Sequence, residues 1–230
     1  MIVYIKLGRK EKKQMQKTEA ISIIGGADGP TSVFIAGKSS KNIPLKERVR
    51  QSTYKRRRKQ IEKRIYANPH TLKETAVYAH KRYHAIELPK TQRKYTEQYT
   101  SAKEGLILTY KPELLGDLGK ITKPDVLNEE SAKELYRQFQ IRSEIADHIP
   151  DCEMPMDFHI YEIRIENGCM ELQIDFMWNL FGLSYSGNKK TMKELKKIAR
   201  DLYLYYGVSE EDIKNKTKRY SSLLTALSSK

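Results

Sequence analysis

His159 to Phe176 reads HIYEIRIENGCMELQIDF. Apolar and polar side chains alternate on both sides of Asn167-Gly168, the strongest short-range signal for a two-residue hairpin turn. Centring the turn there pairs Glu166 with Cys169, Ile165 with Met170, Ile163 with Leu172, Tyr161 with Ile174 and His159 with Phe176, which makes one face almost wholly apolar. His159 ends that face as a packed, hydrogen-bonded residue. The other face sets Arg164 opposite Glu171, a favourable cross-strand pair. Asp157, Glu162 and Asp175 also fall there, and that face reads as wetted.

An apolar sheet face has to be covered, and the neighbouring segments supply the covers. Asn128 caps a helix from Glu129 to about Ile149, closed by Pro150. Asn179 to Tyr185 adds a third strand. Thr191 with Glu194 forms a capping box for a helix that stops at Gly207, and Ser209 with Asp212 opens a last helix to about Leu227. Upstream, Thr71 and Glu74 open a helix that runs to His84, Ala85 to Leu88 reads as a short strand, and Gln92 to Lys103 as a polar helix. Gly105 to Pro124, broken by Gly and Pro, reads as irregular. The fold class is α+β, a small antiparallel sheet packed with helices. The chain divides into an N-terminal β segment (1–43), a basic helical region (44–106) and an α+β domain (107–230).

Charge is placed unevenly along the chain. Residues 1–68 carry 18 Lys/Arg against 5 Asp/Glu, and the rest carries 25 against 24, so nearly all of the net +14 is N-terminal. Such clustering attracts phosphate backbones or other polyanions, whereas a uniform excess only aids solubility. Its densest part is Leu45 to Ala67, LKERVRQSTYKRRRKQIEKRIYA, with ten basic and two acidic residues and no Gly or Pro. It reads as a helix ending before Asn68-Pro69. Its apolar seam, Leu45, Val49, Ile61 and Ile65, is too thin for a membrane-surface helix. Lys55, Arg56, Arg57, Arg58 and Lys59 therefore stand as candidate contacts to a nucleic-acid backbone, including that of a ribosome. A solvated helix without a partner is the competing reading.

The N-terminal segment contains AISIIGGADGPTSVFIAGK, Ala20 to Lys38. Two apolar arms, Ile21 to Ile24 and Val33 to Ala36, flank a Gly/Asp/Pro loop, and together they read as a β-hairpin whose Asp28 closes an Asx-type turn. The Ile24 to Phe34 portion resembles the GGADGPT segment of the β subunit of sodium ion-translocating decarboxylases, which act on oxaloacetate, methylmalonyl-CoA and glutaconyl-CoA. The resemblance implies a sodium site with Asp28 as cation ligand, among Gly26, Asp28, Gly29 and Thr31, and an accessory role beside a membrane-protein partner. It covers this loop alone. A membrane-crossing helix needs about 20 consecutive apolar residues, and no window of the sequence meets that length.

The two cysteines, Cys152 and Cys169, form no CxxC pair and read as reduced cytosolic thiols. A cytoplasmic location follows from them and from the lack of a signal-peptide pattern. His80 and His84 share a helix face, but Lys81 stands where a metalloprotease would carry Glu, so a solvated pair is the expectation. No nucleophile elbow or dinucleotide fingerprint is present. The sequence thus points to a non-catalytic binding protein without a cofactor, apart from the sodium ion that the resemblance implies.

Overall fold

The computed structural model describes residues 19–23, 45–121 and 129–228. Five strands form one antiparallel sheet: β1 (Glu19–Ile23), β2 (Ile86–Glu87), β3 (Phe158–Ile165), β4 (Gly168–Asp175) and β5 (Leu180–Gly187), in the spatial order β1-β5-β4-β3-β2. The helices are α1 (Leu45–Glu62), α2 (Leu72–Tyr83), α3 (Arg93–Tyr110), α4 (Glu129–His148), α5 (Lys189–Tyr206), α6 (Glu210–Asn215) and α7 (Lys218–Ser228), with a 3-10 segment at Pro112–Lys120. The α+β class holds. No helix among the described residues is long and apolar enough to cross a membrane.

The expected hairpin forms, but the chain reverses at Glu166-Asn167. Ile165 pairs with Gly168, Ile163 with Met170 and Glu162 with Glu171, two residues away from a turn centred on Asn167-Gly168. The slip is even, so every side chain keeps its face. Asn167 takes the left-handed backbone (φ 58°). Gly168 is needed elsewhere, because a Cβ there would lie 2.2 Å from Thr191 Cγ2 and 3.0 Å from the Ser186 carbonyl oxygen. Close approach by the start of α5 therefore fixes the glycine as the first residue of β4. Arg164 consequently faces Cys169, and Glu171 faces Glu162.

The apolar face, including Ile163, Met170, Leu172, Ile174, Leu183 and Tyr185, is buried under α2, α5 and α7 in the main core. The second face is covered too, where the sequence predicts a wetted surface. Phe158 and Ile160 pack with Leu88 of the β2–α3 connection and Tyr95 of α3, while Glu162, Gln173 and Asp175 are buried. Helix α3 brings partners for two of them, Lys94 for Glu162 and Gln98 for Gln173, and the Met177 and Trp178 amides bond Asp175. A smaller core joins Leu106 and Ile107 of α3 to Leu115, Ala146 and Ile149. That packing carries α3 through Gly105, where irregular structure is expected from sequence. A Cβ added at Gly105 would meet nothing within 4 Å, so no close approach requires a glycine there.

Helix termini show the same mixture of agreement and correction. The Thr71–Glu74 and Ser209–Asp212 capping boxes form. Helix α5 starts earlier than the Thr191–Glu194 pattern implies, with Asn188 accepting bonds from the Lys190 and Thr191 amides, which frees the Thr191 hydroxyl to bond the Glu166 carbonyl. The last helix is two, broken where Lys216 takes a left-handed backbone (φ 49°) and Thr217 donates to Asp212. Helix α5 ends at Gly207 as expected. Of the first arm of the predicted N-terminal hairpin, Ile21 to Ile23 lie in β1, which begins two residues earlier and pairs along β5, while Ile24 lies outside the described residues. The hairpin's second arm, Val33 to Ala36, and the Asn128 cap lie outside the described residues.

Candidate nucleic-acid interface

Helix α1 is the basic helix that the sequence predicts, and its C-terminal end is tied to the folded body. Ile61 and Ile65 pack against the main core, and the helix lies along α7. The connector that follows is held by backbone bonds: the Asn68 amide donates to the Val208 carbonyl (3.0 Å) and the His70 amide to the Tyr206 carbonyl (3.0 Å). Arg219 Nη2 donates to the His70 carbonyl at 2.7 Å. Gly207 makes room for the joint, since it has a φ of 61° and a Cβ on it would sit 1.9 Å from the Asn68 carbonyl oxygen.

The five clustered basic residues separate into two groups. Lys55, Arg56 and Lys59 are exposed, while Arg57 and Arg58 are half-buried. Arg58 lies near Tyr220 of α7, whose hydroxyl is pushed up in pKa by burial and by Glu62. Arg57 turns toward Arg200 of α5. Burial lowers the Arg200 pKa, and the Arg57 charge lowers it further. Sequence alone spreads these five charges around a helix. Packing on α7 decides that three of them point outward.

The other candidates resolve differently. Gly26, Asp28, Gly29 and Thr31 of the sodium-site resemblance lie outside the described residues. His84 leaves helix α2 as its left-handed C-cap (φ 55°), and His80 Nδ1 lies 2.9 Å from the Ala85 carbonyl oxygen, so the two do not present a ligand pair on one helical face. His159 is packed and hydrogen-bonded as predicted, 2.6 Å from Glu87 and 3.0 Å from Asp157, with its ring against Phe176.

One polar cluster is not legible in the sequence. Glu162, Cys169 and Glu171 bring ligand-type atoms within 4.8 Å of one another. Lys94 occupies the position a cation would take, at 2.7 Å from both Glu162 and Glu171, and Arg164 also bonds Glu162. Burial alone would raise the Glu162 pKa, but the bonds from Lys94 and Arg164 outweigh it and hold the carboxyl low. Burial and the neighbouring Glu162 push the Cys169 thiol up to about 11, which makes it a poor nucleophile at neutral pH. Detecting this cluster needed the contact between α3 and the hairpin, which no local pattern announces.

No family model matches the chain, and no curated protein or solved structure was found to match it.

Proposed function

We propose that this protein is a non-catalytic binding module that engages the backbone of a nucleic acid through α1. The observation that carries this reading is the outward row of Lys55, Arg56 and Lys59 on a helix whose end is fastened to the core by Ile61 and Ile65. A basic segment tied to a folded surface presents its charges in a fixed pattern and loses less conformational entropy on binding than a free tail. Phosphate contacts of this kind position a protein without reading sequence. Tyr54 (38% exposed) and Tyr66 (76% exposed) add aromatic surface at either end of the row.

The test is fluorescence anisotropy with a labelled oligonucleotide at low salt. The parent is expected to bind, and Lys55→Gln/Arg56→Gln/Lys59→Gln to bind at least about tenfold more weakly at an unchanged melting temperature. Equal affinity of parent and variant removes α1 as the interface.

A further inference from the structure

Beside α1 the surface sinks into a cleft of about 680 Å³ between α1, α5 and α7, within the usual size range of small-ligand sites, about 300 to 1,000 Å³. Arg57 and Arg64 reach it from one face of α1 and its continuation, and Arg200 reaches it from α5. The spacing of Arg57, Ile61 and Arg64 follows the helical repeat, so the two charges flank an apolar residue on a single face. Arg200 is held in the wall by its Nε, which donates to the Ala226 carbonyl at 3.3 Å.

The acidic groups nearby are engaged elsewhere. Asp201 lines the cleft, but its Oδ2 accepts the hydroxyls of both Tyr78 and Tyr83 at 2.7 Å. Glu62, the acid at the end of α1, pairs with Lys216 at 3.5 Å. Among the described residues no carboxylate lies in ion-pair range of Arg57 or Arg64. Asp201 keeps its charge, and Arg57, Arg64 and Arg200 against that one carboxylate leave the lining net positive. Its apolar part is accessible as well, since Leu204 is 50% exposed and Tyr66 76% exposed. Guanidinium groups beside an open apolar and aromatic ledge match a ligand that joins an anion to a flat ring.

We infer that the cleft seats a nucleotide, with its phosphate between Arg57 and Arg200 and its base on the ledge of Leu204 and Tyr66. The inference rests on the nucleic-acid reading of α1 and deepens it, since it makes the cleft the place where one unit of a strand is gripped beside the outward row. A free mononucleotide carries the same chemistry.

The experiment titrates the full chain by calorimetry with AMP, with inorganic phosphate and with a single-stranded 12-mer. Parent protein, Leu204→Glu, Arg57→Gln and the outward triple variant Lys55→Gln/Arg56→Gln/Lys59→Gln are compared, with melting curves for each. Leu204 is exposed enough for Leu204→Glu to fold even if a change at Arg57 disturbs packing. The expected result is AMP binding at one equivalent, tighter than phosphate, weakened about tenfold by Leu204→Glu or Arg57→Gln and unchanged in the outward triple variant, which loses affinity for the 12-mer alone. Competition between AMP and the 12-mer assigns the cleft to a unit of strand. AMP binding by a protein that ignores the 12-mer assigns it to a free nucleotide and overturns the α1 reading instead. If the 12-mer binds and Leu204→Glu and Arg57→Gln change neither ligand's affinity, the cleft inference falls while the α1 reading stands. If the parent binds neither ligand, both fall.

Discussion

Lys94 of α3 closes the second face of the sheet by reaching Glu162 of β3, Nζ to Oε1 at 2.7 Å. The same ammonium lies 2.7 Å from Glu171, the residue that faces Glu162 across the strands. Two carboxylates in register repel each other, and the lysine between them makes the pairing tolerable. Lys94→Met is expected to destabilise the protein by about 1 to 3 kcal/mol, because it leaves the buried Glu162 with Arg164 as its one remaining cationic partner among the described residues and removes the charge that separates it from Glu171. Adding Glu162→Gln should recover part of the loss. Chemical denaturation of both single variants and the double variant checks the coupling, and additive losses would show that the pair does not interact.

The same site sets an acid limit. The Glu162 pKa is held below the ordinary carboxylate value by Lys94 and Arg164 against the opposing effect of burial. A depressed folded-state pKa contributes stability that is present above the unfolded value of about 4.3 and is lost as pH falls through the folded one. Melting temperature is therefore expected to drop below about pH 4 in the parent and to drop less in Glu162→Gln. Parallel profiles would contradict the assignment.

Asp175 titrates in the opposite sense. It is fully buried, its Oδ1 accepts the Met177 and Trp178 amides at 2.9 and 2.8 Å, and its Oδ2 has no partner of hydrogen-bonding geometry among the described residues. Burial raises its pKa, with those amides pulling the other way. A raised carboxyl pKa weakens the fold at neutral pH and relieves it as pH falls through the folded value. Asp175→Asn keeps the amide acceptor and removes the charge, so it should stabilise the protein at pH 7 by about 1 kcal/mol. The gain should shrink on acidification. Lower stability at pH 7 would mean that the carboxylate is compensated.

Gly207 is the joint on which α1 depends. Its positive φ and the 1.9 Å approach of the Asn68 carbonyl oxygen leave no room for a methyl group. Gly207→Ala should cost about 1 to 3 kcal/mol. It should also speed amide exchange at Asn68 and His70, whose amides bond the end of α5 and Val208 beyond it. Unchanged exchange there would show that the connector is fastened by other contacts.

These relationships also mark how far the sequence could be read. The Asn167-Gly168 signal located the hairpin and both faces, because alternation has a period of two and survives an even slip. The turn itself was misplaced because Gly168 answers to Thr191, a contact 23 residues away in the chain that turn chemistry does not contain. Gly105 read as a break, yet α3 crosses it because Leu106 and Ile107 are buried against α4; tertiary packing overrides a local propensity of about 1 kcal/mol. The basic helix was legible from composition. The inward turn of Arg57 and Arg58, and the cleft with Arg200, depend on α7 and α5 and were not.

The central claim, that α1 holds nucleic-acid phosphates through its outward charges, is tested most directly by the salt dependence of binding. Each neutralised phosphate contributes roughly 0.7 to 0.9 to the slope of log affinity against log salt. Replacing Lys55, Arg56 and Lys59 with glutamine should flatten that slope by about 2 to 3, across unrelated sequences, with folding unchanged. A slope identical to that of the parent would contradict the account.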